Sequence, residues 1–134
     1  MLSLEEYRKL ANDEIAAIPY PATPNGLYEP IAYTMDLGGK RLRPALVLMA
    51  CEAMGGDVKK AVKPAVGLEL FHNFTLLHDD VMDNADVRRG KPTVHRRWND
   101  NTAILSGDAM LTMSSQYVAQ VDPAVLPEIM RLFN

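Results

Sequence analysis

The segment Leu70-Phe71-His72-Asn73-Phe74-Thr75-Leu76-Leu77-His78-Asp79-Asp80-Val81-Met82-Asp83 constrains this chain more than any other. Its first turns are apolar, it closes on three aspartates, and Arg88-Arg89-Gly90-Lys91 follows directly. Residues four apart on a helix share a face, so the spacing predicts that Asp79 and Asp83 present their carboxylates about one turn (~6 Å) apart. His72 lies two turns back on the same stripe. Like charges so placed cost a helix roughly 0.2–0.5 kcal/mol, and nothing structural requires them there. A hard divalent cation would remove the conflict. Mg²⁺ takes oxygen ligands, keeps several waters, and is commonly held by one or two carboxylates plus substrate phosphates. Neighbouring arginines suit those phosphates, because the guanidinium fork binds their oxygens in pairs.

A solvated acidic helix end is the plainer reading of Asp-Asp-x-x-Asp. It is weakened by the apolar turns before the aspartates, which are too greasy for a surface helix. It is weakened again by the paired arginine and by a second basic, glycine-bearing patch upstream, Gly38-Gly39-Lys40-Arg41-Leu42-Arg43-Pro44. At 134 residues the chain is one domain at most by length, large enough for a genuine core. Its 48% apolar and 23% charged residues are ordinary for a globular protein. A net charge of −3 argues against a nucleic-acid surface. The basic residues cluster at 40–43 and 88–97, which suits a small polyanion better than a long one. The single cysteine, Cys51, sits among Leu48, Met49 and Met54 and reads as a small core residue. It excludes an internal disulfide and fits a reducing cytoplasm. No N-terminal signal is apparent, and the longest uncharged apolar stretch, from Pro44 to Cys51, is too short to span a bilayer.

The chain reads as all-α, with about six helices. Ser3 with Glu6 forms a capping box that opens a helix to about Ile18. A proline-rich connector leads to a second helix, Leu27 to Leu37, ended by Gly38-Gly39. Arg43-Pro44 starts a third, running to Met54. Asp57 caps a long fourth helix to about Asn84, with Pro64 expected to kink it or mark its true start. Residues 85–97 read as a basic loop with Gly90 and Pro92 as turn residues. Asn99 or Asn101 caps a fifth helix to about Gln120, and Asp122-Pro123 opens a sixth to Phe133. No strand is expected, since alternating apolar runs are absent.

Together these residues resemble the trans-isoprenyl diphosphate synthases, the polyprenyl synthetase family. The Gly38–Pro44 patch resembles the family's first basic motif, and His72 with His78-Asp79-Asp80-Val81-Met82-Asp83 resembles its first aspartate-rich helix. Arg88-Arg89-Gly90-Lys91-Pro92-Thr93 resembles the basic loop that follows, and Gly107-Asp108 a further signature. Four such signals in the right order are far more specific than any one alone.

The resemblance implies an antiparallel helical bundle of the isoprenoid synthase type, a dimer or larger self-assembly, and a prenyltransferase of the cytoplasm with no membrane span. It would condense isopentenyl diphosphate with an allylic prenyl diphosphate. Asp79 and Asp83 would hold Mg²⁺ on the allylic diphosphate, with Asp80 supporting them from behind. Arg88 would bind that diphosphate too. Lys40, Arg43, His72 and Arg89 would bind the diphosphate of isopentenyl diphosphate. No side chain need act as nucleophile. Phe74, five residues before Asp79, takes the place of the pocket floor in the family, and its ring implies a short product of C15–C20 length. His78 reads as structural, and Asp108 as either an inward structural group or a wall of the site.

The family's second aspartate-rich motif has no counterpart, since Asp79-Asp80 is the single Asp-Asp pair. Residues 1–134 are therefore expected to be the N-terminal part of one synthase domain, inactive alone. The alternatives are a non-catalytic partner subunit of a split synthase and a terpene cyclase or squalene-type synthase. Against the cyclase stand the two basic patches, which a cyclase does not need.

Overall fold

The computed structural model describes residues 1–134. It contains seven helices: α1 (Leu4–Ala16), α2 (Asn25–Asp36), α3 (Leu42–Ala53), α4 (Val62–Met82), α5 (Val94–Arg97), α6 (Asp100–Val118) and α7 (Leu126–Phe133). Two short strands, β1 (Val87–Arg88) and β2 (Lys91–Pro92), pair antiparallel. The chain forms two compact units. One comprises Met1–Ala17, Lys40–Glu69 and Met113–Asn134, the other Ile18–Gly39 and Leu70–Thr112.

In the first unit, α1 opens on the capping box: Glu6 N–H donates to Ser3 Oγ at 3.2 Å, and Ser3 N–H donates to Glu6 Oε1 at 3.1 Å. Its buried stripe of Tyr7, Ala11 and Ile15 follows the helical period. Tyr7 packs with Ala45, Leu48 and Ala65 as the centre of a core that Leu10, Val47 and Val62 flank. Asp57 accepts from Lys59 N–H at 3.0 Å, but the helix it starts is a single 3₁₀ turn, Val58–Ala61. The α-helix proper begins at Val62, so Pro64 sits in its first turn, where its missing N–H costs nothing. On α7, Leu126, Ile129, Met130 and Phe133 are half-buried at helical spacing.

Two polar pins hold this unit. Arg41, whose own backbone is left-handed at φ +52, places its guanidinium 3.6 Å from Glu69 and 3.0 Å from the Asn12 side-chain oxygen, with both ionic side chains buried. Glu52 accepts from the Tyr7 hydroxyl at 2.5 Å and from Leu2 N–H at 2.9 Å. Those two donors hold the Glu52 carboxyl below the ordinary carboxylate range. A depressed folded pKa contributes stability that is fully present above the unfolded value and is lost as pH falls through the folded one. Thermal melts should therefore lose stability as the pH falls below about 4.5. In Glu52→Gln that part of the acid loss should be missing; an identical acid profile in wild type and variant would contradict the assignment.

In the second unit, α2 begins earlier than the proline pattern suggests, at Asn25 behind Pro24, so Pro30 lies inside the helix. Ile31, Met35, Leu70, Leu77, Ala103 and Met110 are buried there. Ser106 Oγ donates to the Leu27 carbonyl at 2.8 Å, and Asn99 caps α6 through a 2.8 Å bond from Thr102 N–H.

The expected basic loop at 85–97 is instead a hairpin and a helical turn. Val87 faces Pro92 and Arg88 faces Lys91, which leaves Arg89-Gly90 as a two-residue turn. Both turn residues have positive φ, +52 and +78, as a type I′ hairpin turn requires. Tyr33 ties the hairpin to α2, its hydroxyl donating to the Pro92 carbonyl at 2.7 Å. The strands are too short to carry any alternation, and for that reason the sequence did not announce them.

Candidate functional site

The last turn of α4 delivers the carboxylates. Asp83 lies one residue past Met82, but its N–H still bonds to the Asp79 carbonyl at 2.8 Å, so the helical spacing persists through both. Both side chains are exposed. Asp80, between them in sequence, points elsewhere: it is 6% exposed, and Arg88 grips it with a fork, Nε–H at 2.7 Å and Nη2–H at 2.8 Å. Asp80 thus fixes Arg88 rather than standing exposed with Asp79 and Asp83. The same fork holds the Arg88 guanidinium above its ordinary range, and the Asp79 charge adds a smaller push. No spacing rule finds this pair, because the seven residues between them pass through a change of direction at Asn84, whose φ is +52.

Arg89 is aimed by its left-handed backbone at the hairpin turn. Its guanidinium lies against Gly39, where an added methyl carbon would stand 2.9 Å from Nη2, and φ at Gly39 is +144. Only glycine suits that position. Arg89 Nη1 also reaches the Asn73 side-chain oxygen at 3.5 Å, and Asn73 is fully buried. Neither Asn73 nor the Gly39 contact was readable from the motif spacing. His72 is half-buried on α4, and its carbonyl accepts the Thr75 hydroxyl at 2.5 Å.

Asp79, Asp83, His72, Arg88 and Arg89 all belong to the second unit. Lys40 and Arg43 belong to the first, where both are exposed, Arg43 in the first turn of α3. His78 and Asp108 face each other, Nε2 to Oδ1 at 3.6 Å. Asp108 is exposed, which removes the inward structural role as an option for it.

No three His, Cys, Asp or Glu side chains converge on one point. Two exposed carboxylates one turn apart fit an ion that keeps its waters and completes its shell with phosphate oxygens, and Mg²⁺ is of that kind. What the arrangement offers chemically is a paired anionic ledge beside a rigidly held arginine.

The helices and this site together define a protein of the isoprenoid synthase fold. A crystal structure of a geranylgeranyl pyrophosphate synthase superposes with a TM-score of 0.95 at 47% identity, covering 99% of this chain and 41% of that one. The geranylgeranyl pyrophosphate synthetase of Pyrococcus horikoshii Ot3 superposes with a TM-score of 0.88 at 41% identity, over 97% of this chain and 40% of that one. The polyprenyl synthetase model matches residues 24–134, and the chain belongs to that family. Among curated relatives, the geranylgeranyl diphosphate synthase of Methanosarcina mazei is 42% identical over 125 residues, 91% of this chain and 39% of that protein. The farnesyl diphosphate synthase of Geobacillus stearothermophilus is 40% identical over 111 residues, 81% of this chain and 37% of its own length. The chain therefore spans about two fifths of the length of the relatives it matches. No helix in it is long and apolar enough to cross a membrane.

Proposed function

We propose that residues 1–134 form the N-terminal part of one synthase domain that joins isopentenyl diphosphate to an allylic prenyl diphosphate. Asp79 and Asp83 hold Mg²⁺ against the allylic diphosphate, and Arg88 binds the same group. Lys40, Arg43, His72 and Arg89 take the diphosphate of isopentenyl diphosphate. One observation carries the reading: two exposed carboxylates at helical spacing, with Asp80 withdrawn from them to lock Arg88.

Bound magnesium would supply positive charge to the departing diphosphate. The chain's own contribution is placement. Arg88 arrives already oriented by its fork on Asp80, so no reorganisation is needed when charge develops on the leaving oxygens. The Arg89 guanidinium lies against Gly39 and reaches the Asn73 side-chain oxygen at 3.5 Å. The exposed apolar side chains of α6, Ile104, Leu105 and Leu111, support self-assembly into a dimer or a larger oligomer. A single cysteine and no disulfide suit a cytoplasmic enzyme.

The test is to co-express the chain with the remaining three fifths of the Methanosarcina mazei relative and supply labelled isopentenyl diphosphate, allylic primers and Mg²⁺. Magnesium-dependent extension of the label is expected. A pair that co-purifies and leaves the label unextended would contradict the proposal. In the active pair the Phe74 ring should hold products to C15–C20. Phe74→Ala should lengthen them by at least one isoprene unit on thin-layer chromatography, and an unchanged ladder would remove Phe74 from that role.

A further inference from the structure

We propose that Tyr33 is a positioning residue for isopentenyl diphosphate: it holds the 87–92 hairpin so that Arg89 meets the diphosphate, and this rests on the functional reading above. Strands of two residues cannot hold a shape in water by themselves, so the hairpin takes its place from ties to its surroundings. Thr93 closes its base, with N–H donating to the Asp86 carbonyl at 3.1 Å and Oγ1 to the Ala85 carbonyl at 2.8 Å. Beyond the base, each strand is tied to a different helix. Arg88 ties β1 to α4 through the fork on Asp80. Tyr33 ties β2 to α2: its hydroxyl donates to the Pro92 carbonyl at 2.7 Å, and a carbonyl can only accept.

Arg89 stands at the turn between the two strands, and its neighbours belong to the same two helical segments. Asn73 lies on α4, and Gly39 lies three residues past the end of α2. The Arg88 fork therefore fixes the hairpin on the Asn73 side, and the Tyr33 bond fixes it on the Gly39 side. Pro92 is three residues from Arg89, about 10 Å of extended chain, so the bond acts on the turn with little slack. Tyr33 is itself held. The Arg97 guanidinium lies 4.4 Å from its ring centroid, and the Trp98 ring meets it edge-on, 5.3 Å away at 74°. Arg97 also lies 4.7 Å from the Trp98 centroid, which closes the cluster.

Without the hydroxyl, β2 loses its tie to α2 while the base and the Arg88 fork remain. The hairpin can then turn about Arg88, and its tip leaves Gly39. The contact weakened is that of Arg89 with isopentenyl diphosphate. Arg88, gripped directly by Asp80, keeps its place. A general loosening of the fold would weaken both diphosphate sites alike, whereas a positioning role weakens one.

Calorimetry titrates the wild-type chain, Tyr33→Phe, Tyr33→Leu, Arg89→Ala and the Tyr33→Phe/Arg89→Ala double variant with isopentenyl diphosphate. Each is also titrated with inorganic diphosphate, with and without Mg²⁺, and circular dichroism reports folding. Tyr33→Phe keeps the ring on which Arg97 lies and removes one hydrogen bond. Isopentenyl diphosphate affinity should therefore fall roughly three- to tenfold, the scale of one such bond. Tyr33→Leu, which also gives up the ring, should lose at least as much. The magnesium-dependent part of inorganic diphosphate binding should change by less than about twofold in both. In the Arg89→Ala background Tyr33→Phe should add less than about twofold, because the side chain it positions is gone. Unchanged isopentenyl diphosphate affinity in folded Tyr33→Phe or Tyr33→Leu would overturn the proposal. So would an equal loss in the magnesium-dependent binding, or a full additional effect of Tyr33→Phe on top of Arg89→Ala. A wild-type chain that does not bind isopentenyl diphosphate, or an Arg89→Ala chain that binds it as well as wild type, would overturn the functional reading of Arg89, and this inference with it.

Discussion

A chain carrying Asp79→Ala together with Asp83→Ala should lose magnesium-dependent binding of inorganic diphosphate by about a hundredfold or more. The scale follows from metal sites in general, where losing even a residue that merely orients a ligand costs about 10–100-fold. Both side chains are exposed and carry no packing, so the fold should not suffer. Removing their mutual repulsion should raise stability slightly, by roughly 0.2–0.5 kcal/mol. Affinity and stability should therefore move in opposite directions. Calorimetric titration with and without Mg²⁺, set beside thermal melts, separates site from scaffold. A double variant that keeps magnesium-dependent binding within about threefold of wild type would show that the ion sits elsewhere.

The largest expected effect on stability comes from Glu69→Ala. Arg41 and Glu69 are both buried, with side chains 3% and 5% exposed, and their charged groups stand 3.6 Å apart. Taking two charges out of water is repaid only while both remain, and deleting one partner of such a pair costs about 3–5 kcal/mol. Urea unfolding of Glu69→Ala should show a loss in that range with little change in the slope of the transition. A loss below about 1 kcal/mol would mean that the guanidinium finds equivalent company without Glu69. The result bears on the site as well, because Arg41 lies between Lys40 and Arg43 in the first basic motif. The middle cation of that motif is spent on the scaffold, and the two flanking ones remain exposed.

The helices were legible because their signals are local. Ser3 with Glu6, Asn99 and Asp57 each announce a start through a side-chain oxygen within three residues of the amide it caps, and the structure contains every one of those bonds. The Asp79–Asp83 ledge was legible for the same reason, since a helix converts a spacing of four into a shared face. What escaped was non-local. The fork from Arg88 to Asp80 depends on the chain leaving the helix at Asn84, where φ is +52, and strands of two residues leave no period to read. Arg41 stands in the same basic patch as Lys40 and Arg43, yet it alone of the three is buried, with its backbone left-handed and its guanidinium toward Asn12 and Glu69. Sequence spacing picks out the charged candidates. It does not name the neutral or glycine residues that lie against them, such as Asn73 and Gly39 beside Arg89.

The most direct test of the central claim is a crystal structure of this chain grown with Mn²⁺ in place of Mg²⁺ and with inorganic diphosphate, the metal located by its anomalous signal. Metal is expected within about 2.1 Å of carboxylate oxygens from both Asp79 and Asp83, with the diphosphate completing its shell on the side of Arg88. Metal bound away from these two carboxylates, or diphosphate bound with no metal between it and them, would contradict it.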